Sequence, residues 1–131
     1  MMHCGLLGQK LSHSYSPAIH SMLGNYEYKL YETEPENVET FLRKGDFDAL
    51  NVTIPYKKCA AALCDELSET ARAIGSVNTI VRRADGKLYG DNTDVYGFEE
   101  LLRRAVFSPR AKKVLVLGSG GASAAVVYAL E

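Results

Sequence analysis

The sequence lacks the residues on which several classes of small protein depend. It has no tryptophan, and its three cysteines, Cys4, Cys59 and Cys64, form no C-x-x-C pair. An odd number of scattered cysteines argues against a disulfide framework, and neither they nor the three histidines give a metal-ligand pattern. We therefore expect reduced thiols, no metal site and a cytoplasmic location.

Long hydrophobic runs and an excess of one charge are also missing. No apolar run approaches the roughly 18 residues that a membrane span requires. The N-terminus has no basic region followed by an apolar core, as a secretory signal would. Lys and Arg number 15 against 16 Asp and Glu, so the net charge is -1. This balance argues against a partner that is recognised by bulk charge, and we expect neither nucleic acid nor membrane as a partner.

What is present fits a globular α/β chain. The 131 residues are 47% hydrophobic and 24% charged, which is ordinary for a folded domain. Short apolar or alternating runs predict strands, and apolar residues at helical spacing predict helices between them. We predict strands at 2–7, 26–32 and 48–54, a hairpin of 76–83 and 87–90, and helices at 16–23, 35–44, 56–64, 66–74 and 94–106.

The last 20 residues differ in character from the rest. Residues 113–117 (KVLVL) are a continuous apolar run of the kind that parallel strands use. The glycine-rich stretch Gly118–Ser123, called the glycine turn below, and an apolar helix follow, as at the start of a dinucleotide-binding unit. Ser123 stands where the third glycine is usual, so a glycine-rich turn without a ligand is the alternative. One strand and one helix do not make a domain, so we expect a truncated piece of a longer protein.

Two segments carry hydroxyl groups and a lysine in positions that suit ligand binding. The loop Ser12–Pro17 follows the first strand, where α/β sheets bind ligands, and its hydroxyls suit a polyhydroxylated or carboxylate ligand. The alternative is that Ser16 only caps the helix. In Asn51–Lys57 the strand is followed by Lys57 in the first helical turn, an electrostatically disfavoured place that suits a proton donor or acceptor. The alternative is an exposed, unpaired lysine, which is how we interpret Lys58.

Two further segments, Gly75–Thr79 and Gly90–Asp94, place polar groups at the ends of predicted strands. Asp94 also begins a predicted helix, where N-capping is the alternative role. Together with L-S-H-S-x-S-P-x-x-H (Leu11–His20), N-V-T-I-P-Y-K (Asn51–Lys57) and G-S-G-G-A-S (Gly118–Ser123), the motifs G-S-V-N-T and G-D-N-T-D-x-x-G resemble those of the shikimate dehydrogenase family. The resemblance covers the whole chain, and five motifs in order are specific.

The resemblance implies a fold and a domain plan. Residues 1–106 would form a three-layer α/β/α substrate-binding domain with a mixed, mostly parallel sheet. Residues 107–111 would be a linker, and residues 112–131 would be the first strand, glycine turn and helix of an incomplete Rossmann domain. The implied reaction is the NADPH-dependent reduction of 3-dehydroshikimate to shikimate, in aromatic amino acid biosynthesis.

The resemblance also implies roles for individual residues. Lys57 and Asp94 would be the catalytic pair, Ser14 and Ser16 would hold the substrate carboxylate, and Thr53, Asn78 and Asp94 would bind its hydroxyls. The substrate-binding residues are therefore Ser14, Ser16, Thr53, Lys57, Asn78 and Asp94. The cofactor-binding residues would be Gly118, Ser119, Gly120, Gly121, Ala122 and Ser123.

Several alternatives stay open. A relative that acts on quinate would share these motifs, because one polar side chain can decide such a preference. The acid that distinguishes NAD from NADP is expected roughly 20 residues after the glycine turn, beyond Glu131. The family also uses a glutamine and a basic segment that this sequence does not contain, so we expect the chain alone to be inactive, although it could bind substrate. An unpaired apolar strand at 113–117 would favour a homodimer through residues 112–131. The alternative is that this segment folds back on the first domain of its own chain, which then stays monomeric.

Overall fold

The computed structural model describes residues 1–131 and contains one six-stranded sheet. The strands are β1 (His3–Gly8), β2 (Glu27–Glu32), β3 (Ala49–Val52), β4 (Glu66–Leu67), β5 (Thr79–Arg82) and β6 (Leu88–Asp91). The helices are α1 (Ser16–Leu23), α2 (Val38–Lys44), α3 (Lys57–Leu63), α4 (Glu69–Ile74), α5 (Asp94–Arg104) and α6 (Gly121–Leu130). None of these helices combines the length and the apolar character needed to cross a membrane.

The sheet is mixed and mostly parallel, which confirms the predicted fold class. Its strand order is β2-β1-β3-β5-β6-β4. β1 is parallel to β2 and β3, and β4 is parallel to β6, whereas β5 is antiparallel to both of its neighbours. The predicted hairpin is the β5–β6 pair, and its turn contains Gly86 with a positive φ of 84°, a conformation that favours glycine.

The hydrophobic core lies on one face of the sheet, under α2, α3 and α4. Leu7, Leu50 and Ile80 point to this face from three adjacent strands and are at most 2% exposed. On α2, Val38 and Leu42 are spaced one helical turn apart, so both reach this core. Burial of a side chain such as Leu42 contributes about 2 kcal/mol to the free energy of unfolding.

Helix α1 covers part of the opposite face, which gives the three-layer arrangement. The ring of His20 stacks on the ring of Tyr28 of β2, with a centroid distance of 3.8 Å. The Nδ1 of His20 also lies 2.6 Å from the hydroxyl oxygen of Tyr26. This aromatic contact fixes α1, a helix with no buried residue of its own, against the edge of the sheet.

The antiparallel direction of β5 determines where the polar segments meet. β1, β3 and β6 end at one edge of the sheet, and β5 begins at that same edge, because Thr79 pairs with Asn51 of β3 and with Asp91 of β6. The loop after β1, the segment after β3, the segment before β5 and the segment after β6 therefore converge. This edge is where ligands bind in α/β sheets.

Two local predictions are corrected by the structure. The helix predicted at 66–74 is instead the short strand β4 followed by α4, because Glu66 and Leu67 pair with β6 and Ser68 begins the helix by accepting a bond from the Ala71 N–H. Ser16 does not cap α1 but is its first residue. Its N–H is instead bound by Ser14 Oγ at 3.2 Å.

Residues 113–117, predicted to be a strand, pair with no strand in this structure. A strand requires a neighbour to satisfy its backbone N–H and C=O groups, and this chain supplies none there. The segment before it begins and ends near two residues with left-handed backbones, Val106 (φ 52°) and Ala111 (φ 58°). After it, α6 forms as predicted and packs against α5 and α4, with Ala125 fully buried.

Candidate functional site

An ion pair between Lys57 and Asp94 lies at the edge of the sheet where β1, β3 and β6 end. Lys57 Nζ donates to Asp94 Oδ2 at 2.5 Å, and the two side chains are 16% and 34% exposed. Lys57 is the first residue of α3, and its carbonyl accepts the Val77 N–H, which ties the helix to the segment before β5. Thr93 occupies the cap position of α5 and Asp94 makes no cap bond. The capping role considered for Asp94 is therefore wrong, and its carboxylate is free to bind the lysine.

Asn78 holds this carboxylate from the other side. Its Nδ2 donates to Asp94 Oδ1 and to Thr93 Oγ1, both at 2.9 Å. Its Oδ1 accepts from the Thr93 N–H at 2.9 Å and from Thr79 Oγ1 at 3.0 Å. Both hydrogens of the amide are used within the protein, so Asn78 fixes the position of Asp94 and would bind a substrate hydroxyl only by exchanging one of these bonds.

Asn92 and Ser76, both fully buried, support the ion pair, and sequence reasoning assigned them no role. Asn92 Oδ1 accepts from the Asp94 N–H, and Asn92 Nδ2 donates to the Ser76 carbonyl, both at 3.0 Å. The Asn-x-Asp spacing in G-D-N-T-D was the available signal, because an Asn side chain often binds the backbone N–H two residues later. Ser76 lies in the motif G-S-V-N-T (Gly75–Thr79), but that motif indicated no role for the serine itself.

Of the two serines predicted to bind the substrate carboxylate, Ser14 lies on the loop after β1 and Ser16 is the first residue of α1. Neither serine makes a hydrogen bond to the Lys57 cluster. Nearby, Tyr28 donates from its hydroxyl to Asn51 Oδ1 at 2.8 Å. Burial raises the pKa of Tyr28 to about 12, so the phenol keeps its proton at neutral pH and this bond persists.

Thr53 joins these residues to a cleft on the same edge. A cleft of about 390 Å³ is lined on one side by residues 53–55, Lys57 and Lys58, and on the other by residues 119–122 of the glycine turn. Thr53 and Lys57 both contribute to its wall. The structure therefore brings Lys57, Asn78 and Asp94 into one bonded cluster, and Thr53 shares the cleft with Lys57.

The glycine turn contains a residue with a positive φ and leads into the N-terminus of α6. Gly118 has a φ of 126°. Gly120 is the cap residue of α6, and a Cβ added to it would meet no atom within 4 Å. Gly121 packs so closely that an added Cβ would lie 2.7 Å from Ser76 Oγ and 2.8 Å from Lys57 Cβ. The open N-terminus of α6 offers free N–H groups to an anion. The residues of the glycine turn therefore fit the pyrophosphate of a dinucleotide, and the turn lies directly against Lys57.

Lys58, which we interpreted as an exposed and unpaired lysine, has a partner. Its Nζ donates to the carbonyl of Ser119 in the glycine turn at 3.0 Å. The interpretation was wrong because the partner lies 61 residues away in the sequence, where no local pattern can indicate it.

Comparison with known proteins gives the family. Residues 6–80, more than half of the chain, match the family model described as the shikimate dehydrogenase substrate binding domain. A relative from Methanopyrus kandleri, named shikimate dehydrogenase (NADP(+)), is 46% identical over 136 residues, which is 96% of this chain and 46% of the relative. A relative of the same name from Clostridium beijerinckii is 44% identical and is half covered.

Solved structures agree with this. Shikimate dehydrogenase 1 from Peptoclostridium difficile has a TM-score of 0.92 and 36% identity, over 99% of this chain and 51% of that one. The enzyme from Thermus thermophilus in complex with shikimate has a TM-score of 0.87 and 36% identity, over 99% and 52%. The chain thus spans about half the length of the relatives it matches. With its sequence motifs, its fold and these likenesses in agreement, the chain belongs to the shikimate dehydrogenase family.

Proposed function

We propose that the whole protein reduces 3-dehydroshikimate to shikimate with NADPH, and that this chain supplies the substrate site and the catalytic Lys57–Asp94 pair. One observation carries the proposal. The ammonium of Lys57 is paired with Asp94, while the stem of the same side chain touches Gly121 of the glycine turn. A proton donor therefore stands between a polar substrate wall and the turn that would hold a dinucleotide.

Reduction of a ketone places negative charge on its oxygen, so a group must donate a proton there. Lys57 Nζ is the donor that we assign: it hydrogen-bonds the ketone oxygen and transfers a proton to it. Asp94, held by Asn78 and Asn92, orients the ammonium and balances its charge. When bound, the reduced dinucleotide supplies the hydride that the carbonyl carbon accepts.

The hydroxyl and amide groups around the pair suit a polyhydroxylated acid. Thr53 faces the cleft beside Lys57, and Gly8 at the end of β1 packs against Thr53. Beyond Gly8, Ser14 lies on the loop and Ser16 begins α1. Such groups both donate and accept hydrogen bonds. We propose that the serine pair binds the carboxylate of the substrate and that Thr53, Asn78 and Asp94 bind its hydroxyls.

The glycine turn would hold the pyrophosphate of NADP. Gly118, Gly120 and Gly121 shape the turn, and the first N–H groups of α6 have no partner within the helix. We propose that residues 112–131 begin a Rossmann domain in the whole protein, with residues 107–111 as the linker. The names of the curated relatives support NADP as the cofactor.

The substrate assignment predicts that this chain binds shikimate by itself, although weakly, because every assigned substrate residue lies within it. Titration with millimolar shikimate, followed by NMR, is expected to shift the amide signals of Ser14, Ser16, Thr53 and Asn78. Quinate in a parallel titration tests the related substrate. Unchanged signals at these residues would remove the substrate assignment, and a stronger response to quinate would replace shikimate.

The exposed segment 113–117 predicts that the 131-residue chain self-associates when it is studied alone. Leu115 and Leu117 are 81% and 87% exposed, and the segment has no strand partner. An unpaired apolar strand tends to pair with another chain, so we propose a homodimer through residues 112–131. Sedimentation equilibrium is expected to show a dimer for this chain.

The matched control for self-association is the double variant Leu115→Lys/Leu117→Lys, which keeps the chain length and is expected to be monomeric. A monomeric parent chain, or a double variant that dimerises equally, would contradict the proposed contact.

A further inference from the structure

Lys58 has no counter-ion, unlike the neighbouring Lys57. Lys57 is neutralised by Asp94 at 2.5 Å, whereas no carboxylate lies within ion-pair distance of Lys58. The only hydrogen bond of the Lys58 ammonium is to the Ser119 carbonyl at 3.0 Å. An ammonium has three donors, so two of them remain available to a ligand.

The cleft around Lys58 carries no acidic side chain. Its walls are formed by residues 53–55, by Lys57 and Lys58, and by residues 119–122. The positive charge of Lys58 is therefore uncompensated within a cleft that also receives the N-terminus of α6. An anion that enters this cleft would meet a full positive charge on one wall and backbone N–H groups on the other.

We propose that Lys58 binds the pyrophosphate of the dinucleotide held at the glycine turn, opposite the N–H groups of α6. Lysine binds phosphate as a point charge and needs no fixed orientation, which suits a side chain that already reaches the turn. Two parts of the chain that are distant in sequence then hold the same cofactor group. This inference rests on the proposed function, because it requires a dinucleotide in the cleft.

Calorimetric titration of the whole protein with NADP+ tests the proposal. Loss of a hydrogen bond to a charged group predicts that Lys58→Gln weakens binding by about tenfold. Lys58→Arg keeps the charge and is expected to lose less. Lys44→Gln, an exposed lysine at the end of α2 outside the cleft, is the matched control and is expected to bind like the parent protein.

The same titrations at low and at high salt distinguish a charge contact from a structural one. Exposed charges are screened by salt, so the difference between Lys58→Gln and the parent is expected to shrink as salt rises. A difference independent of salt would mean that Lys58 only tethers Ser119, and the inference would be wrong. Equal binding of NADP+ by both proteins also overturns it, but leaves the proposed function intact. Absence of binding by the parent protein itself overturns the proposed function.

Discussion

Replacement of Lys57 by methionine in the whole protein is expected to lower kcat by about 10²-fold or more, the range that loss of a general acid gives. Methionine keeps the Cβ that packs against Gly121 and places its sulfur where lysine has Cδ, so the cofactor turn stays supported while the proton donor is lost. KM for the ketone substrate is expected to change less, because Thr53, Asn78 and the serine loop remain. Steady-state kinetics in the direction of ketone reduction measure both constants.

The control for this experiment is Lys44→Met, which removes an exposed lysine outside the cleft and is expected to leave kcat unchanged. Thermal unfolding of the Lys57 variant is measured alongside, because loss of the ion pair leaves Asp94 with Asn78 alone on its carboxylate. A folded Lys57→Met variant with near-normal turnover would show that Lys57 does not supply the proton. The assignment of the catalytic pair would then be withdrawn.

The second large effect, on NADP+ affinity, is expected when Gly121→Ala adds a single methyl group to the glycine turn. Gly121→Ala places a Cβ within 2.8 Å of both Ser76 Oγ and Lys57 Cβ, two atoms that cannot easily yield. Ser76 is fully buried, and Lys57 Cβ lies on the first residue of a helix. Overpacking of this kind costs about 1–3 kcal/mol. Because NADP+ would have to restore the turn that the clash displaces, this cost lowers the affinity for NADP+ by about fivefold to a hundredfold, as measured by calorimetric titration.

Gly120→Ala is the matched control for Gly121→Ala. Its added Cβ meets no atom within 4 Å, and its φ of -77° is accessible to any residue. Amide hydrogen exchange without ligand separates the two variants: exchange in α6 is expected to accelerate for Gly121→Ala and not for Gly120→Ala. If both variants exchange alike, the close contact between the turn and Lys57 does not determine how the turn is held.

Local sequence patterns were enough to predict most of the helices and strands. The alternation of apolar residues indicated β2, and the spacing of Val38 and Leu42 indicated α2, because both patterns depend only on which face of an element is buried. They failed at β4, where two residues form a strand only because β6 lies beside them. They failed again at 113–117, where an apolar run predicts a strand but no neighbouring strand is present to pair with it.

The candidate site, too, was predictable from the sequence only in part. The position of Lys57 in the first turn of a helix indicated a proton donor or acceptor. Its pairing with Asp94 was expected only from the resemblance to the family. The support of Asp94 by Asn92 was indicated only in part, and the contact of Lys58 with Ser119 not at all. Long-range contacts of this kind leave no trace in the spacing of nearby residues.

The sequence by itself determined the α/β class, the polar motifs and the glycine turn, since each depends on short-range preferences of the backbone and side chains. Only the tertiary structure decided that these motifs meet. The antiparallel β5 brings Asn78 to the edge where β3 and β6 end, and the docking of α6 brings Gly121 against Lys57. The physical reason is that a pair such as Lys57 and Asp94, 37 residues apart, meets only after the strands between them have paired.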